Sequence, residues 1–228
     1  HMFPTKIWDH EERLIEHALL HAKIHNLQLG NPRISGAIGW CAFDYATHIE
    51  FGSGDRICYH GVMDTFRLPK WAGNFYQSQV DPQNQIVLKA ATHWTMGDRA
   101  AGGNNPLTIF TNCDEVEVII GPINVGRFKP DSKTYPNLRH PPVIVDGLDE
   151  FSAWGQRRFY DLHLIGYRNQ KPVAEQKISS NNLPQKLLAV PDTHQLFADG
   201  SDMTRLILQV TDDSVSYTHL TLPTNREV

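Results

Sequence analysis

The spacing of apolar positions changes along this chain, and each change predicts a different element. Between Asp9 and Leu29, Leu14, Ile15, Ala18, Leu19 and Ala22 recur at steps of three and four. That spacing predicts an amphipathic helix with one buried stripe. Asp9 and Glu12 stand at capping-box spacing, and Gly30 and Pro32 mark the end. Ser35 to Tyr45, SGAIGWCAFDY, is then almost free of charge. Such a run predicts a strand buried on both faces. A polar loop, HIEFGSGDR, leads to a second helical stretch. There Pro69 suits the first turn, and Trp71, Ala72, Phe75 and Tyr76 form the buried face. Helix, buried strand and helix in this order suggest part of a parallel β/α layer, in which function sits at the carboxyl ends of strands.

Near Asp81-Pro82 the pattern changes to short alternating runs rich in β-branched residues, with Gly, Pro, Asn and Asp between them. Strands are predicted at Ile86 to Trp94, Leu107 to Thr111, Val116 to Ile120, Val143 to Val145, Phe159 to Tyr167 and Pro172 to Ile178. Together they suggest an immunoglobulin-like β-sandwich without the Cys…Trp…Cys core of antibody domains. A second seam falls at Asn182-Leu183-Pro184, after which two or three strands begin another sandwich, with ADGSD as a hairpin-like turn. The expected class is α+β: a barrel-like remnant over 1–80, a sandwich over 83–181 and an incomplete second sandwich over 184–213. The last stretch, 214–228, reads SVSYTHLTLPTNREV and resembles translated vector or adapter sequence, so it is expected to be a non-native tail.

Composition narrows the choice of partners. The chain has 228 residues, 40% hydrophobic and 20% charged, with a net charge of −4. It has no basic excess to suit nucleic acid, and no apolar run approaches the roughly 20 residues of a membrane span. No signal-peptide pattern is visible. Cys41, Cys58 and Cys113 lack CxxC spacing and are expected to be reduced, structural thiols. His17, His21 and His25 fall four apart on one helix face. An adjacent pair at that spacing could hold a metal. No carboxylate or cysteine completes the set, so a polar helix flank, with no metal and no cofactor, is expected.

A family likeness rests on particular residues. A strand ending in Gly-x-x-x-Trp matches at Gly36 and Trp40. The pattern Gly-Val-x-Asp-x-x-Arg-x-Pro-Lys-x-Ala matches at Gly61, Val62, Asp64, Arg67, Pro69, Lys70 and Ala72. These segments resemble the end of the catalytic barrel of glycoside hydrolase family 2, in its bacterial β-galactosidase subgroup. The opening HMFPTK resembles the segment after that barrel's nucleophile-bearing strand. TNCDEVEVIIGPINVGRF resembles the β-sandwich that follows the barrel, although Ile120-Gly121-Pro122 departs from the usual Asn-Gly turn.

The resemblance implies retaining chemistry by two carboxylates about 5–5.5 Å apart. Asp9 to Leu29 would be the seventh barrel helix and Ile34 to Tyr45 the eighth strand. Both catalytic glutamates would then precede residue 1, and the chain alone would be inactive. Trp40 would be the apolar wall under a galactose ring, with Asp44 and His48 as further substrate contacts. Asp64 and Arg67 would form a structural ion pair. The implied partner is a β-galactoside or oligosaccharide, and barrel faces left bare would promote self-association. Two alternatives remain open: a carbohydrate-binding or scaffold module, and a hydrolase with a local site around Asp44 and His48, drawing on Glu50, Asp55 and His60 or on Cys41 and Cys58.

Overall fold

The computed structural model describes residues 4–47, 55–95, 106–151, 159–181, 183–212 and 217–218. Helix α1 (Glu11–Leu29) opens the fold. His10 is its N-cap and makes no side-chain cap hydrogen bond. The expected capping box is absent because Asp9 is engaged elsewhere. Its Oδ2 accepts from the Lys6 amide at 2.7 Å and pairs with Arg13. Leu14, Ala18 and Ala22 are buried as the periodicity requires, with Ile15 and Leu19 packed beside them.

The expected buried strand is the main correction. Residues 34–40 form no strand, and Ile38 is 94% exposed. A central parallel strand needs a partner on each edge and a helix layer on each face. Here only the end of the run finds a partner. Cys41 to Asp44 bonds to His60 to Met63, with a parallel bridge between Phe43 and Met63. Beyond it, β1 (Tyr45–Ala46) pairs antiparallel with β2 (Ile57–Cys58). Helix α2 (Trp71–Ser78) then packs on α1, with Trp71, Ala72 and Phe75 in their shared core. Lys70 is its N-cap, so Pro69 lies one residue outside the first turn.

Two antiparallel sheets follow. One has the order β3-β4-β7, from β3 (Leu88–Ala90), β4 (Leu107–Thr111) and β7 (Val143–Val145). The other runs β6-β5-β8-β9, from β5 (Glu115–Ile120), β6 (Ile123–Phe128), β8 (Leu162–Arg168) and β9 (Lys171–Ile178). Leu107, Ile109, Val143 and Val145 of the first meet Val116, Val118, Leu162 and Leu164 of the second in one core around Trp94. Every residue of β4 is buried. Ile109 faces the opposite sheet while Phe110 faces the helices, so alternation gives two apolar faces.

Strand β6 is not among the strands predicted from alternation, although the resemblance implies a turn at Ile120-Gly121-Pro122. It pairs with β5 across the two-residue loop Gly121-Pro122. Gly121 has φ +55°, and a glycine with positive φ in the first loop position is what a II′ hairpin uses. Last comes a three-stranded antiparallel sheet, β10 (Lys186–Pro191), β11 (Leu206–Thr211) and β12 (Tyr217–Thr218). Two residues of the expected tail, Tyr217 and Thr218, thus pair with Thr211 and Val210.

The chain is therefore α+β, with two α-helices and antiparallel sheets among the described residues. No helix among them is long and apolar enough to cross a membrane.

Candidate functional site

A cavity of about 200 Å³ lies between α1 and the segment that precedes β1. His17, His21 and His25 line one wall, with Leu20 and Ile24 between them. Their four-residue spacing stacks them in one row. Ile38, Gly39, Trp40 and His60 close the other side.

Tyr76 of α2 ties the row together. Its hydroxyl lies 3.0 Å from His21 Nδ1 and 2.7 Å from His25 Nε2. His21 Nε2 in turn lies 3.2 Å from His17 Nε2. Gly39 passes directly over this group. A Cβ at that position would sit 2.2 Å from Tyr76 Oη, so a side chain there would displace the hydroxyl.

The row is not the polar flank that the sequence suggested: His17 is only 2% exposed. Burial first, then the neighbouring charges of His21 and Lys70, lowers its pKa to about 3. Burial, then His25, lowers His21 to about 4. Both rings are neutral at pH 7. Each then carries one N–H and one lone pair, and their contact is a single shared hydrogen bond.

The expected site residues separate in space. Trp40 stands at the cavity rim, 67% exposed. Asp44 is 3% exposed and does not line the cavity. Its Oδ1 accepts from Lys70 Nζ at 2.7 Å and from the Gly61 amide at 2.9 Å. Lys70 Nζ also donates to the Thr5 carbonyl. Burial raises the Asp44 carboxyl while the Lys70 ammonium opposes that rise, and burial lowers Lys70 while Asp44 supports its charge. The pair closes on Gly61, where a Cβ would lie 2.2 Å from the Asp44 amide nitrogen. His48 and Glu50 lie outside the described residues.

Asp64 and Arg67 form no ion pair among the described residues. Asp64 Oδ1 instead accepts the amides of Phe66 and Leu68, and the Arg67 guanidinium sits 5.6 Å above the Phe43 ring. Asp55 accepts from the Tyr59 hydroxyl and the Ile57 amide. Cys58 is 1% exposed, with its Sγ 2.9 Å from His60 Nδ1. All three cysteines are free thiols. The sequence did not mark Lys70 and Tyr76 as polar partners. Lys70 had a signal, since a cation between apolar residues needs a buried anion.

Comparison with known proteins adds descent to this geometry. No protein-family model matches the chain. Over 217 residues it is 46% identical to a beta-galactosidase of Thermoanaerobacterium thermosulfurigenes, spanning 93% of this chain and 30% of that protein. A beta-galactosidase of Rhizobium meliloti is 38% identical over 219 residues, or 94% of this chain and 29% of that protein. A beta-glycosidase structure from Bacteroides vulgatus superposes with a TM-score of 0.62 at 21% identity, over 86% of this chain and 23% of that one. A beta-glucuronidase structure from glycoside hydrolase family 2 gives a TM-score of 0.61 at 19% identity, over 90% of this chain and 20% of that one. At these identities the two structures show the fold alone.

In sequence the chain is thus similar to β-galactosidases over nearly its whole length, and in fold to glycosidases of glycoside hydrolase family 2. It spans about 30% of the length of the curated relatives it matches.

Proposed function

We propose that this chain is the C-terminal part of a retaining β-galactosidase-type hydrolase. Helices α1 and α2, with the segment between them, are the end of the catalytic barrel. The two sheets around Trp94 are the immunoglobulin-like sandwich, and β10 to β12 begin a second one. The observation that carries this reading is the 46% match, which runs through nearly the whole of this chain but only 30% of the relative.

In this reading both carboxylates of the double displacement belong to the part of the enzyme that the chain does not span. The chain's contribution is apolar and positional. Trp40 offers its face to the C–H face of a galactoside ring. The Asp44–Lys70 pair and the Gly61 amide hold the backbone that carries Trp40. Asp44 therefore acts on the sugar through the chain's position, and His48 remains a candidate direct contact.

The test is turnover of a panel of nitrophenyl glycosides by the purified chain, beside Trp40→Ala. Hydrolysis at the background rate in both is the expected result. Galactoside turnover that falls in Trp40→Ala would overturn the placement of the carboxylates and direct attention to Asp44, Glu50 and Asp55. Saturable oligosaccharide binding without turnover, lost in Trp40→Ala, would support the assignment of the tryptophan.

A further inference from the structure

We propose that Arg205, at the start of the last sheet, is a positioning residue for Trp40. It grips the tip of a small hairpin whose base carries the tryptophan's segment. Its consequence for a sugar rests on the reading of Trp40 given above, whereas the grip itself does not.

The hairpin spans residues 62–70. The Lys70 amide donates to the Val62 carbonyl at 3.0 Å, and Met63 bridges Pro69 antiparallel. The Asp64 amide then donates to the Leu68 carbonyl at 2.9 Å, which closes the turn at Phe66 and Arg67. On its other side the base of this hairpin holds the segment after Trp40. The Cys41 carbonyl accepts from the Val62 amide at 3.0 Å, and the Ala42 carbonyl accepts from the Met63 amide at 3.1 Å. The Asp44 amide donates to the Met63 carbonyl at 2.9 Å. A tilt of the hairpin therefore moves the backbone beside Trp40.

The tip needs a hold from outside. The Phe66 side chain is 62% exposed, so burial does little to fix it. Arg67 has φ +65°, a conformation that a non-glycine residue keeps only where its surroundings impose it. Arg205 supplies the hold, because its Nη1 donates to the Phe66 carbonyl.

The direction of that donor is fixed in advance. Arg205 Nε and Nη2 donate to the two carboxylate oxygens of Asp192 at 3.0 and 3.1 Å. A guanidinium is planar, so a two-point grip on a carboxylate sets where the remaining nitrogen points. Asp192 is itself placed by its amide, which donates to the Arg205 carbonyl at 3.0 Å at the end of the β10–β11 pair. The last sheet thus aims one charged donor at the tip of the hairpin. Trp40, at 67% exposure, has little packing to correct a displaced backbone. A wall for a sugar ring has to be held to within about 0.5 Å.

The test compares the parent chain with Arg205→Ala, Arg205→Lys and Asp192→Asn. It reads amide hydrogen exchange and the indole N–H resonance of Trp40, assigned through Trp40→Phe. Arg205→Ala should speed exchange at Val62, Met63 and Asp44 about 3- to 10-fold and move the indole resonance. Asp192→Asn should act in the same direction. Arg205→Lys keeps the charge and a donor for the Phe66 carbonyl, and should recover part of both effects. Arg139→Ala breaks the exposed pair with Asp81 and should change neither. Unchanged rates and an unchanged indole in Arg205→Ala would refute the proposal. So would the absence, in the parent chain, of Overhauser contacts between the Arg205 guanidinium and Phe66 or Arg67, which needs no variant to fold. Titration with methyl β-galactoside separates the two readings. Binding that weakens in Arg205→Ala supports both. An intact exchange result without any binding by the parent keeps the grip and rejects the sugar role of Trp40.

Discussion

Asp44 illustrates how a residue's type can be legible while its use is not. A carboxylate at the end of an apolar run beside an exposed tryptophan has the makings of a sugar contact. The fold turns it inward instead, onto Lys70, with side-chain exposures of 2% and 0% for the two partners. A buried ion pair is only weakly stabilising as a pair, but removing one member leaves the other charge uncompensated. Asp44→Ala should therefore cost about 3–5 kcal/mol. The double replacement Asp44→Leu with Lys70→Met should recover most of that loss in urea unfolding. Trp40→Ala, at an exposed site, should stay within about 0.5 kcal/mol of the parent. The two residues expected to share one task thus separate cleanly by measurement, Asp44 through stability and Trp40 through ligand.

At the scale of elements, α1 was legible in its stripe and opaque in its flank. Leu14, Ala18 and Ala22 follow from period alone, because only one helix stripe can meet a core. That His17 is buried as well depends on what the fold packs against it, which no helical pattern encodes. This burial has a consequence in acid. The pKa of His17 in the fold is about 3 and that of His21 about 4, against about 6.5 in the unfolded chain. A depressed pKa means that the unfolded chain takes up protons first, so stability is full above pH 6.5 and falls towards pH 4. Burial lowers His25, His60 and His140 in the same direction. The melting temperature should therefore drop as pH falls through that window, before the carboxylates titrate. His17→Gln should flatten the drop, and a slope unchanged in that variant would refute the assignment. The strands were easier to read. Leu107–Thr111 and Val143–Val145 appear as predicted, since alternation and turn residues are local signals. Strand β6 was missed because its exposed residues, such as Ile123 and Asn124, show no clean alternation; pairing with β5 is what makes it a strand.

For the whole molecule the question is what remains uncovered. In the last sheet the pairing places Leu187, Leu206 and Leu208 on one face. They are 69%, 56% and 49% exposed, and no further sheet among the described residues covers them. Ile38, Phe43 and Phe66 are also exposed, on the segment between α1 and α2. Apolar surface of this extent drives association. The chain should sediment as concentration-dependent oligomers, and Leu208→Glu should shift it towards monomer. A monomer at all concentrations would show that these faces do not meet.

The sequence by itself carried the likeness to β-galactosidases and most of the local elements. Motif residues such as Gly36, Gly61, Lys70 and Trp40 carry the resemblance, and period carries helix and strand. The tertiary structure decided everything that depends on a partner distant in sequence. The run Ser35 to Tyr45 has the composition of a central strand, yet hydrogen bonds and burial come from neighbours, and here only its end finds any. Asp44 became a structural anion, His17 a buried neutral ring and Tyr76 the hub between two histidines for the same reason. Burial and hydrogen bonding belong to pairs of residues brought together by the fold, and no single stretch of chain contains both members.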